Sequence, residues 1–150
     1  MQWSRVKAEL DLKEKILLQR TRNEALKTRI VATLNNEAVY GSEGIYFIIP
    51  KEKDAYLHSL LGLLNSKAIN YLFATKFLNL AVKSEYVKQI RLPPATKEQK
   101  NLLANLVDKI RAAKKTDSTA DTSKLEAEID RLVYALYGLT DDEIKVIEER

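Results

Sequence analysis

Pro93-Pro94 divides this chain into two kinds of sequence. A central strand cannot run through two residues that lack a ladder N–H, so any sheet must be finished by that point or stop at its edge. Before the prolines lie three short apolar or β-branched runs: Ile16-Leu17-Leu18, Arg29-Ile30-Val31-Ala32-Thr33-Leu34 and Gly44-Ile45-Tyr46-Phe47-Ile48-Ile49-Pro50. Turn-rich segments separate them, Asn35-Asn36-Glu37 and Gly41-Ser42-Glu43-Gly44. These read as three or four strands, with Tyr40 in a short one. After the prolines the periodicity is helical throughout.

Between the third run and the prolines comes a pair of helices. Asp54 is an N-cap candidate for a helix with Leu57, Leu60, Leu61 and Leu64 on one face. Asn65-Ser66 ends it, and Ser66 caps a second helix carrying Ile69, Leu72, Phe73 and Phe77. Val82, Val87, Ile90 and Leu92 then suit one or two further strands within Ala81–Leu92. Thr96-Lys97-Glu98-Gln99 is a capping box for a helix using Leu102, Leu103, Leu106 and Ile110. Lys114–Thr122 reads as a polar linker, and Ser123-Lys124-Leu125-Glu126 as a second capping box. The helix it opens spaces Leu125, Ile129, Leu132 and Leu136 as a packing seam. Gly138 stands where a left-handed helix stop belongs. Thr140-Asp141-Asp142-Glu143 caps a last helix with Ile144 and Ile147.

Segregated strands and helices make the fold class α+β. The expected architecture is a small, mainly antiparallel basic sheet with a helical pair inserted, followed by two to three C-terminal helices. Residues 1–12 read as a lead-in from a longer chain, 13–112 as the main domain, 113–122 as a linker and 123–150 as a helical element packing on that domain or on a partner.

Residue types exclude much chemistry. The chain has no cysteine and one histidine, His58, so thiolate metal sites, zinc clusters and histidine-based triads are ruled out. No glycine-rich phosphate loop occurs, and the four glycines have turn or helix-end explanations. Asp141, Asp142 and Glu143 fall in a first helical turn, where acids favour the positive end of the dipole. Asp130 and Glu126 are expected to pair with Arg131 or Lys124, and His58 is read as a surface or boundary residue. No catalytic or metal-ligating set emerges, so a small hydrolase is disfavoured. The apolar stretch Leu57–Leu64, broken by His58, Ser59 and Gly62, is too short to span a bilayer. A cytoplasmic setting without membrane association is the default.

Charge is uneven. Residues 1–100 carry a balance of +7 and residues 101–150 one of −3, for a net charge of +4. A basic front half suits a polyanion. Gln19, Arg20 and Arg22, then Lys27 and Arg29, bring together residue types that read base edges and neutralise phosphates. Lys76, Lys83, Lys88, Gln89 and Arg91 form a second set of the same types. Tyr40, Tyr46, Tyr71 and Tyr86 could stack on bases, but each lies in an apolar pattern that favours packing.

The segments KILLQRTRN, LKTRIVATLNNEAVY, GIYFIIPK, LLGLLNSKAINYLF, YVKQIRLPPATKEQKNLLANLVDKI and LEAEIDRLVYALYGLTDDEIKVIEE, over roughly residues 13–149, together resemble the TaqI-like C-terminal specificity domain of adenine-specific DNA methyltransferases and type IIG restriction–modification enzymes. The resemblance implies a target-recognition domain that reads double-stranded DNA beside a methyltransferase or endonuclease domain or subunit. S-adenosylmethionine is then the cofactor of that neighbour. The Asn-Pro-Pro-Tyr type catalytic motif and cofactor-binding glycines of the full enzymes are absent, so this chain is expected to have no cofactor and not to be an enzyme by itself. The rival reading is an assembly module whose seam at Leu125, Ile129, Leu132 and Leu136 mates with a partner helix or with a second copy in a homodimer.

Overall fold

The computed structural model describes residues 14–20, 28–37, 44–50, 56–77 and 81–150. Among these lies a three-stranded sheet of β1 (Lys15–Gln19), β2 (Ala32–Asn35) and β3 (Ile45–Ile48), in the order β2-β1-β3. Both pairings are antiparallel. Leu17 stands opposite Thr33 on one side and Phe47 on the other. Alternation on β1 sends Ile16 and Leu18 into the core beside Leu34 of β2. Tyr40, Asp54 and most of the Gly41–Gly44 turn lie outside the described residues.

Helices α1 (Leu57–Asn65) and α2 (Lys67–Lys76) follow, separated by Ser66 alone. Ser66 is extended (φ −66°, ψ 154°), and its hydroxyl oxygen accepts from Ile69 N. The same hydroxyl donates to Leu63 O at 2.6 Å, so one small side chain closes the first helix and opens the second. Tyr56 precedes α1 without a side-chain cap. Leu72, expected on the buried face of α2, is 36% exposed, whereas Ile69 and Phe73 are core residues.

The chain then returns to the sheet for one residue. Ala81 forms an isolated bridge, and Val82 N donates to Arg20 O at 2.6 Å. The helical pair is therefore inserted between β3 and this return. No strand continues across Ala81–Leu92, contrary to the expectation from sequence. Instead Ser84–Val87 forms a short helix, α3, and irregular backbone leads to the prolines. Lys88, Gln89 and Ile90 donate their N–H groups to the carbonyls of Ser84, Tyr86 and Val87, which leaves no ladder to extend. The apolar spacing of five, three and two residues never alternates as a strand requires.

Three longer helices complete the fold: α4 (Lys97–Thr116), α5 (Ser123–Tyr137) and α6 (Asp141–Glu149). The Thr96/Gln99 and Thr140/Glu143 capping boxes both form, and Gly138 ends α5 at φ +64°. The third cap differs from expectation. Thr122 is the N-cap of α5, its hydroxyl donating to Glu126, while Ser123 is already helical and its N–H goes to Asp121. Helix α4 also runs through Lys114 and Lys115, good helix formers, and stops only where the Asp117 carboxylate takes the Thr119 N–H.

Packing centres on α1. It lies against α4, which in turn carries α5. The approach is close at Gly62, mid-helix rather than at a turn: a Cβ there would stand 2.9 Å from Val107 Cγ2. The seam of α5 is used within the chain, with Ile129 in the core and Leu125 and Leu132 packed against it. Half-buried His58 joins three segments, its ring nitrogens meeting Glu14 and Asp108.

Asp130 is 5% exposed and pairs with neither Arg131 nor Lys124. Its carboxylate accepts from Lys67 N at 2.8 Å, capping α2 from a neighbouring helix. Burial pushes its pKa up despite that hydrogen bond. A carboxyl with a raised folded pKa contributes stability below its ordinary value, and that contribution is lost as pH rises toward the folded value. Asp130→Asn keeps an acceptor for Lys67 N and removes the buried charge. Its thermal midpoint should match wild type near pH 3.5 and exceed it at pH 7. Asp130→Leu, which also removes the acceptor, should lose about 1–3 kcal/mol near pH 3.5 and less at pH 7, where wild type carries the buried charge. Thermal unfolding at the two pH values checks both.

Candidate nucleic-acid interface

Gln19 and Arg20 of the first basic set and Lys83 of the second, more than sixty residues apart in sequence, meet at one end of the sheet. Gln19 ends β1 and Arg20 follows it, and their N–H groups donate to Val31 O and Gly44 O. The hydrogen bond from Val82 N to Arg20 O places Lys83 directly beside them. Gln19, Arg20, Lys76, Lys83, Lys88, Gln89 and Arg91 are all exposed.

Aromatic rings support three of these cations. The Arg20 guanidinium lies 5.6 Å from the centroid of Tyr46. Lys76 Nζ is 5.4 Å from the ring of Phe77, and Lys83 Nζ is 5.7 Å from that of Tyr86. Phe77 and Tyr86 stack with centroids 4.3 Å apart and planes 13° from parallel. Lys88 and Gln89 follow on the turn after α3. Arg91 stands apart from this group, because its carbonyl accepts from the Tyr137 hydroxyl at the end of α5.

Arg29 does not join them. It is 2% exposed, so its side chain sits within the fold although its residue type suits DNA. Arg22 and Lys27 lie outside the described residues.

The Asn65–Asn70 stretch accounts for the positioning of β2. Asn65 presents its amide to Ala32 as a strand would, accepting from Ala32 N at 3.0 Å and donating to Ala32 O at 2.9 Å. Asn70 Oδ1 accepts from both Arg29 N and Ile30 N, at 2.6 and 2.7 Å. Its Nδ2 donates back to Ser66 O. Helices α1 and α2 thus grip the outer edge of β2 by side chains, a role that helical periodicity gives no signal for.

Among the described residues, no group of three His, Cys, Asp or Glu side chains is placed to hold a metal ion, and no helix is long and apolar enough to cross a membrane. An apolar groove of about 600 Å³ opens between Ile48, Tyr56, Leu60, Leu92 and Leu136, with Lys100 and Ser59 as the polar groups of its wall.

The chain matches the TaqI-like C-terminal specificity domain over residues 2–93. It belongs to this family. The match takes in the sheet, both helices of the inserted pair, the return at Ala81 and the whole of the cationic face. It also takes in all but the first residue of the segment that sequence patterning set apart as a lead-in. It ends at Pro93, so α4, α5 and α6 lie beyond it, and the tail segments expected from the resemblance to belong to the family fall outside the matched region. No curated protein matches the chain.

Proposed function

We propose that this chain is the DNA target-recognition part of a restriction–modification system. It contributes no catalytic group of its own and acts beside a methyltransferase or endonuclease domain or subunit in the cytoplasm. The observation that carries the reading is the convergence of Gln19, Arg20, Lys76 and Lys83 at one end of the sheet, within the matched region. Arginine and glutamine offer two-pronged hydrogen bonding to guanine and adenine edges, and arginine and the lysines suit phosphates. Lys88 and Gln89, likewise exposed, follow Lys83 along the chain.

Adenine methylation requires the target base to leave the duplex and enter a separate pocket. In this reading the neighbouring domain supplies that pocket and binds S-adenosylmethionine, while the present fold fixes where on the duplex the neighbour stands.

Titrating a mixed duplex pool at several salt concentrations tests the proposal. Four phosphate contacts by Arg20, Lys76, Lys83 and Lys88 give a slope of log affinity against log salt of roughly −3.6. A slope between about −3 and −5 is the expected result. No binding at 50 mM salt, or affinity indifferent to salt, would sink it.

A further inference from the structure

Tyr46 and Tyr86 have the amphipathic rings that stack on bases or fill cores; in this fold both pack against the core, and each also lies under a cation. Each is half-buried with a cation over its ring, and Tyr86 is also stacked on Phe77. Phe77 in turn rests against Phe73 of the core, centroids 5.0 Å apart. A continuous column of rings therefore runs from the core through Phe73 and Phe77 to Tyr86 and ends under the Lys83 ammonium. Lysine is the most mobile of the phosphate-binding side chains, so contacts made by an untethered lysine lose affinity to ordering. An ammonium resting on a ring still has donors directed away from it for a phosphate oxygen.

We propose that Tyr86 is a positioning residue of the DNA face: it acts through Lys83, holding that ammonium where a backbone phosphate is met. The inference rests on the DNA reading above and adds that the ring, rather than contacting a base, sets the place of the cation. Tyr46 under Arg20 repeats the arrangement on the sheet side of the Val82–Arg20 hydrogen bond.

The experiment is a double-mutant cycle in duplex binding with the full 150-residue chain. At 50 mM salt, Tyr86→Leu should weaken binding about fivefold and Tyr86→Phe, which keeps the ring, by less than twofold. In a Lys83→Ala background, Tyr86→Leu should change affinity by less than twofold, because the group it positions is gone. An undiminished loss in that background overturns the inference, as does a Tyr86→Phe variant as weak as Tyr86→Leu. A measurement on the unaltered protein covers poor folding of the variants: ring-current displacement of the Lys83 ε-methylene protons upfield is expected, and a random-coil position overturns the geometry. Absence of duplex binding by wild type defeats the DNA reading itself. Wild-type binding with a fully additive cycle defeats only the role of Tyr86.

Discussion

Asn70→Leu should lower the stability of the chain by about 2–5 kcal/mol, a large fraction of the roughly 5–15 kcal/mol that a domain commonly has. The size follows from what is stranded rather than from what is removed. Asn70 is 6% exposed, and its Oδ1 serves two main-chain donors at once. Those donors belong to Arg29 and Ile30, which are 2% and 0% exposed, so water does not take over the lost acceptor. Each orphaned N–H costs about 1–3 kcal/mol, and the leucine fills the volume without offering an oxygen. Asn65→Leu is the control. Asn65 makes an equally regular pair of bonds to Ala32, but at an exposed position where water substitutes, so its loss should stay near 1 kcal/mol or below. Thermal and urea unfolding of the two variants decide the matter. The expected difference in thermal midpoint is roughly 5–15 °C, and equal midpoints would remove the claim that burial sets the cost.

The same two asparagines show where sequence reading stops. Periodicity located both helices of the pair and the break at Ser66, because apolar spacing and capping are local and the relevant atoms lie within four residues. What Asn65 and Asn70 bind is more than thirty residues away, and nothing in the spacing of a helix announces it. Arg29 fails for a related reason. Its residue type matches the DNA-reading set, but its main chain is held by Asn70 and the residue is only 2% exposed. The segment Ala81–Leu92 misleads differently. Its valines and isoleucine favour strand, yet beyond the one hydrogen bond from Val82 to Arg20 the chain turns into α3, with Tyr86 stacked on Phe77. The composition of the cationic face was readable in the residues. Its assembly from two separated sets depends on one main-chain hydrogen bond, between Val82 and Arg20, that only the fold supplies.

That assembly leads to the largest expected effect on binding. Arg20→Ala combined with Lys83→Ala should weaken duplex affinity on the order of 10²-fold, equivalent to about 3 kcal/mol for two charged contacts. The slope of log affinity against log salt should become shallower by about two, one unit for each phosphate no longer neutralised. Stability should hardly change. Both side chains are exposed, and the main-chain hydrogen bonds that join Arg20 to Gly44 and Val82 survive truncation. Surface truncations of this kind stay within about 0.5 kcal/mol, and losing the contacts with Tyr46 and Tyr86 adds at most about 1 kcal/mol each. The two variants separate the roles further. If Arg20 reads a base edge, its single truncation flattens discrimination among duplex sequences, whereas Lys83→Ala weakens all sequences alike. A selection of bound duplexes from a random pool, run on each single variant, measures this directly. Unchanged affinity in the double variant, with folding intact, would remove this end of the sheet from the interface.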